Sequence, residues 1–160
     1  MRSSKTIAFF HILLIIAPPV VALLDMTADM SFKQRLDTLL LYYLVIGVGF
    51  QGVMAGFKQI TKGEEAAAYL NWPYSPFVKE LGYMNLSFGV LGISCYFITG
   101  TFWEAVGIGY SIFLLLAAYN HIMDAVENHN FSLGNLGPTL WSDVLIPGAI
   151  IGLIVLRNTF

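Results

Sequence analysis

The stretch Trp103–Tyr119 reads WEAVGIGYSIFLLLAAY, and its reading decides the architecture. Glu104 is its only charge, and apolar side chains run all the way round, leaving no wetted face. A helix of that kind is surrounded by other helices or by lipid. Four further apolar runs recur along the 160-residue chain: Thr6–Leu24, Thr38–Phe57, Leu81–Ile98 and Leu145–Leu156, the last of them short. A hydrocarbon layer of about 30 Å takes about 20 helical residues. Backbone polar groups in lipid must be satisfied internally, by helices or closed barrels. Alternating barrel strands are absent, so the sequence predicts an all-α integral membrane bundle of five transmembrane helices, as a single domain over 1–160.

Composition agrees. Hydrophobic residues make up 57% of the chain and charged ones 11%, against about 25% charge in a soluble domain. The net charge of −2 comes with no long Lys/Arg cluster, which excludes nucleic acid as a partner. The single cysteine, Cys95, lies in an apolar run, where it reads as a small hydrophobe and rules out thiol exchange within the chain. Arg2 and Lys5 precede the first run, which resembles a signal peptide as far as Val20-Val21-Ala22. The run continues through Leu23 and Leu24 without an A-x-A site, so a retained span is expected, kinked or ended by Pro18-Pro19.

Positive charge sets the expected orientation. With the N-terminus cytoplasmic, Arg2, Lys5, Lys58, Lys62 and Lys79 lie inside, and Lys33, Arg35 and Arg157 outside. Asp25–Asp37 reads as a short interfacial helix, and Thr99-Gly100-Thr101 as a tight hairpin between the third and fourth spans. Two GxxxG patterns, Gly52–Gly56 and Gly148–Gly152, allow close helix approach, either within the bundle or between copies.

Antiparallel topology gathers polar residues at one end. Glu80 opens the third span and His121 closes the fourth at matching depth, Asp143 opens the fifth, and His11 lies about a turn inside the first. Asn85 is a little deeper, and Asn120, Asp124 and Glu127 share a broad face with His121. Ionisable groups near hydrocarbon are costly unless paired, which makes them candidates for a site. Glu80, His121, Asp124 and Asp143 are the ligands to test for a divalent metal. A His–carboxylate pair suits proton relay or a quinone carbonyl. His11 and His121, on separate helices, suit a haem. The plain alternative is a network of polar helix ends reaching headgroups, with Asp143 as a cap of the last span. For Asn85 and Gln51 an interhelical hydrogen bond is the expectation.

Trp72-Pro-x-Ser-Pro-Phe77, Glu80-x-Gly82-x-x-Asn85-x-x-x-Gly89, His121-x-x-Asp124, Gly134-Asn-x-Gly137 and Asp143-x-x-x-Pro147 together resemble an uncharacterised family of small prokaryotic multi-pass membrane proteins. That family is distantly similar to DoxX-like four-helix membrane proteins. The resemblance implies a compact bundle, a four-helix DoxX-like core plus an N-terminal span, in a prokaryotic inner membrane. DoxX-like proteins are associated with quinone-linked sulfur oxidation or partner redox proteins, so it also implies a redox setting, and it supplies no catalytic residue.

The expected function is that of an accessory or structural membrane subunit rather than an enzyme, packing with lipid and partner membrane proteins in a homo-oligomer or larger complex. The alternative is an oxidoreductase component that binds metal, haem or quinone at the cluster of His11, Glu80, Asn85, His121, Asp124 and Asp143. Transport of protons or a small solute comes third.

Overall fold

The computed structural model describes residues 2–160, with side chains from Thr6 onward. Helix α1 spans Arg2–Asp25 and continues past Pro18 and Pro19, so the proline pair does not end it. Proline lacks an N–H, so the Leu14 and Ile15 carbonyls lose their helical donors, yet neighbouring helices keep the rod going. The following turn is fastened by Arg35, which donates to the carbonyls of Thr27, Ala28 and Met30.

No separate interfacial helix forms over Asp25–Asp37. Ser31 instead caps α2, Phe32–Tyr42: its hydroxyl accepts from the Gln34 N–H at 3.3 Å, and the Gln34 side chain accepts from the Ser31 N–H at 2.8 Å. With two orphan donors satisfied, the helix starts well before the apolar run does. It continues through a π-helical segment, Tyr43–Phe50, into α3, Gln51–Thr61, as one rod of 30 residues.

Helix α4, Gly63–Leu70, ends on Asn71, whose φ of 58° is left-handed and turns the chain into a loop. Then come α5, Phe77–Ser94, and α6, Thr101–Glu127, hinged at Gly100 with φ 77°. A short α7, Leu133–Leu136, leads to α8, Pro138–Thr159. Helix α8 opens well before Leu145 because Pro138 sits in its first turn, where a missing N–H costs nothing.

Four stretches are long and apolar enough to cross a membrane: Thr6–Asp25, Phe32–Thr61, Thr101–Glu127 and Leu133–Thr159. The expected five reduce to four by this measure. Helix α5 has 18 residues, and Lys79, Glu80 and Asn85 dilute its apolar character.

The contacts sort the helix ends into two rims. Leu14, Leu40, Leu44, Val48, Tyr110, Leu114, Ile146 and Ile150, from α1, the Phe32–Thr61 rod, α6 and α8, form the core between them. Leu24, Phe57, Phe97, Leu116, Val126 and Val155 point outward, as side chains facing lipid would.

Helix α5 is held outside this core, against the rod, by glycines. A Cβ on Gly52 would stand 2.5 Å from the Asn85 carbonyl oxygen, one on Gly89 2.5 Å from the Val53 nitrogen, and one on Gly92 2.5 Å from the Gly49 nitrogen. Backbone therefore meets backbone, and any side chain there would force the helices apart. Gly52–Gly56 serves packing inside the bundle, whereas nothing lies within 4 Å of a Cβ on Gly148 or Gly152.

Candidate functional site

The rim that holds the start of α1 and α8 and the end of α6 carries a buried polar cluster. On α6 the inward positions Tyr110, Leu114, Ala118, His121 and Ala125 form one stripe at helical spacing, so the core face ends in an imidazole. Opposite it, α8 turns in Thr139, Ser142, Asp143 and Ile146. His121 is 4% exposed and Asp143 5%, and their Nε2 and Oδ2 atoms stand 3.6 Å apart. From α1, His11 brings Nδ1 to 3.1 Å from Ser142 Oγ.

Hydrogen positions in this cluster follow from its fixed donors. The Asn135 amide nitrogen donates to the carbonyls of His121 and Asn130, both at 2.9 Å. Its Oδ1 must then be the atom 2.7 Å from His121 Nδ1, and that nitrogen carries the hydrogen. His121 Nε2 in the neutral ring is therefore a lone pair, facing a carboxylate oxygen. The two atoms, at 3.6 Å, face each other just beyond hydrogen-bond distance, in a pocket that both side chains share.

Ser142 is settled the same way. Its single hydrogen goes to the Thr139 carbonyl at 2.7 Å, so His11 Nδ1–H donates to Ser142 Oγ. Asp143 Oδ1, 3.5 Å from Ser142 Oγ, is left without that donor.

A cap closes the cluster off. Trp72, from the loop before α5, lays its ring on the imidazole of His121 and donates its N–H to Asp124 Oδ2 at 2.7 Å. Asp124 also accepts from Asn128 and Asn130 side chains. Asn130 donates to the Leu70 carbonyl as well, tying the loop before α7 to the end of α4. Gly134 makes that approach possible, since a Cβ there would stand 1.8 Å from the Tyr69 carbonyl oxygen.

The structure thus brings His11, His121 and Asp143 together and uses Asp124 to hold the cap. Glu80 is exposed on α5 and takes no part. Asn85 makes its expected interhelical bond, with Gln59 Oε1 at 2.9 Å, at a separate place. The buried Oε1 of Gln51 meets no hydrogen-bond donor. Among the described residues no group of three or more His, Cys, Asp or Glu side chains is placed to hold a metal ion. The two imidazoles proposed for haem both turn onto α8, His11 toward Ser142 and His121 toward Asp143.

Sequence reasoning missed Asn135, Trp72 and Ser142. Asn135 looks like an ordinary turn residue, and only its complete burial reveals its role. The opposite rim holds a second network, also unforeseen. Arg157 binds Asp37 closely, reaches Glu104 at 3.4 Å, and lies over the Trp103 ring.

A model of the family of unknown function DUF6790 matches residues 8–160, and the chain belongs to that family. No curated protein and no solved structure matches it.

Proposed function

We propose that this multi-pass membrane protein works as a proton-exchanging component of a membrane complex, with the His121–Asp143 pair as its exchange site. The supporting observation is the buried His121 imidazole, oriented by Asn135, with its Nε2 3.6 Å from the buried Asp143 carboxylate. Burying an ionisable pair costs several kcal/mol that a hydrophobic pair would not, so retention without an evident gain in stability favours a chemical role. His11 and Ser142 extend the chain of polar groups toward the start of α1. Glu80 and Asn85 have no part in this reading.

Infrared difference spectroscopy of the full chain in lipid nanodiscs tests it. Changing pH should reveal one carboxyl or imidazole signal that is sensitive to deuterium and vanishes in Asp143→Asn. A spectrum without such a signal across the stable pH range would defeat the reading.

In this reading α5 is the fifth crossing, beside the long rod, and the His121 rim faces the cytoplasm of a prokaryotic inner membrane. Lys58, Lys62 and Lys79 at that rim support the orientation. The resemblance to DoxX-like proteins leans toward a redox partner.

The accessory-subunit reading keeps support from one observation. The outward face of α8 carries Gly148 and Gly152 with open space above them, which suits a partner helix in lipid. Extraction in mild detergent should then yield a homo-oligomer or larger complex, and a monodisperse monomer in several such detergents would count against it.

A further inference from the structure

Outside the buried cluster, the end of α3 and the first turns of α4 and α5 border a cleft of about 320 Å³. Thr61 closes the long membrane-crossing rod and lines this cleft, so the cleft lies at the depth of lipid headgroups. Gly63 lets the Tyr74 ring form one wall, since a Cβ on it would stand 3.1 Å from that ring. Charges of both signs line the space. Lys79 comes from α5 and Glu64 from α4, and among the described residues neither takes part in an ion pair; the local bridge, 3.7 Å long, joins Lys62 to Glu65. Gln59 lines it too, and because its Oε1 accepts from Asn85, its amide nitrogen is left as a donor.

An apolar groove continues from the cleft. Lys79, Tyr83, Leu86 and Val90 recur at i, i+4, i+7 and i+11, so they share one face of α5, turned away from the glycines that pack on the rod. All four are exposed. A shallow groove runs along that face between Leu86, Ser87, Val90 and Leu91. At about 1.5 Å per residue, Leu86 stands about 10 Å and Leu91 about 18 Å beyond Lys79 along the axis. One leaflet of hydrocarbon is about 15 Å deep, so an acyl chain that leaves the cleft beside Lys79 enters the groove within its own leaflet.

We infer that cleft and groove form one binding site for a phospholipid whose headgroup carries both a phosphate and a primary amine. The phosphate takes Lys79, Lys62 and the Gln59 amide, the ammonium takes Glu64, and one acyl chain lies along Leu86, Val90 and Leu91. Charge complementarity selects this class. A purely anionic headgroup satisfies Lys79 but meets Glu64 with like charge, and an uncharged glyceride satisfies neither. A primary ammonium also donates hydrogen bonds to a carboxylate, which a quaternary one cannot. Joining α4 to α5, the headgroup steadies the loop between them, which carries Trp72 to His121.

The test is native mass spectrometry of the full chain, released from detergent after incubation with an equimolar mixture of phosphatidylethanolamine, phosphatidylcholine and phosphatidylglycerol with identical acyl chains. The expected result is one phosphatidylethanolamine retained per chain, preferred about fivefold over either competitor, as one exposed ion pair would give. Lys79→Ala and Glu64→Gln, both at exposed positions, should each remove that preference, whereas Lys33→Ala at the other rim should keep it. Val90→Trp, which fills the groove, should lower retention of the lipid. Equal retention of the three lipids would overturn the inference, and so would a preference for phosphatidylglycerol or one that survives both substitutions in the cleft. Full displacement of the lipid by excess soluble phosphoethanolamine, with Val90→Trp unaffected, would overturn it in favour of a small phosphate ester.

Discussion

Trp72 stacks on His121 with ring centroids 5.0 Å apart and planes inclined by 33°, and its indole N–H is spent on Asp124. An indole in that position keeps water off the imidazole and fixes its plane by contact. The loop between α4 and α5 is thereby fastened to the last turns of α6, although the two residues lie 49 positions apart. Trp72→Ala should admit solvent from the rim. We expect deuterium exchange at the His121 ring carbon, read by mass spectrometry, to accelerate by about tenfold, as for a locally opened segment. An unchanged rate would mean that the ring is reached by another path.

Asn135 tolerates no close substitute. Alanine leaves two carbonyls and an imidazole N–H without partners, at about 1–3 kcal/mol for each group that water fails to reach. Aspartate keeps the acceptor but loses both donors, so Asn135→Asp should be no milder than Asn135→Ala. Thermal unfolding in detergent measures both, and a stable Asn135→Asp would contradict the donation to the two carbonyls.

The glycine contacts divide sharply. Gly52→Leu or Gly89→Val places side-chain atoms inside neighbouring backbone and should cost about 3 kcal/mol or more, or detach α5. Gly148→Leu meets open space and should change the stability of the isolated chain by less than about 0.5 kcal/mol. Melting curves of the three variants in one detergent separate the cases; equal losses would contradict the packing described for α5.

Arg157 is the hub of the far rim. Arg157→Leu leaves Asp37 and Glu104 without their cation, and both carboxylates are about one-third exposed, so solvent limits the loss to about 1 kcal/mol. Glu104→Gln should cost less, since its contact is longer. A double-mutant cycle between Asp37 and Arg157 that returns no coupling would contradict the pairing.

Membrane crossing was legible because apolar runs need only composition. The ends of the helices were not. Ser31 and Pro138 start helices in polar sequence through capping and a tolerated proline, and neither depends on hydropathy. Depth along an antiparallel bundle could be counted, and it put His121, Asp143 and His11 at one end, where the structure joins them to one cluster. Direction around the bundle could not. The same count put Glu80 at their level, but glycine packing fixes α5 outside the core, and its side chain is exposed. The Arg157–Asp37 pair joins residues 120 apart, for which no local pattern exists.

The π-helical segment Tyr43–Phe50 sets the angular phase of everything that follows it on the same rod. Each residue of a helix advances about 100° around its axis, so removing a single residue from this segment would swing Gly52 and Gly56 a quarter-turn or more away from Gly89 and Gly82. The wide coil therefore acts as a phase shifter, and outside its packed glycines, Gly47 and Gly49, the chain should accept substitutions there more readily than any change in its length.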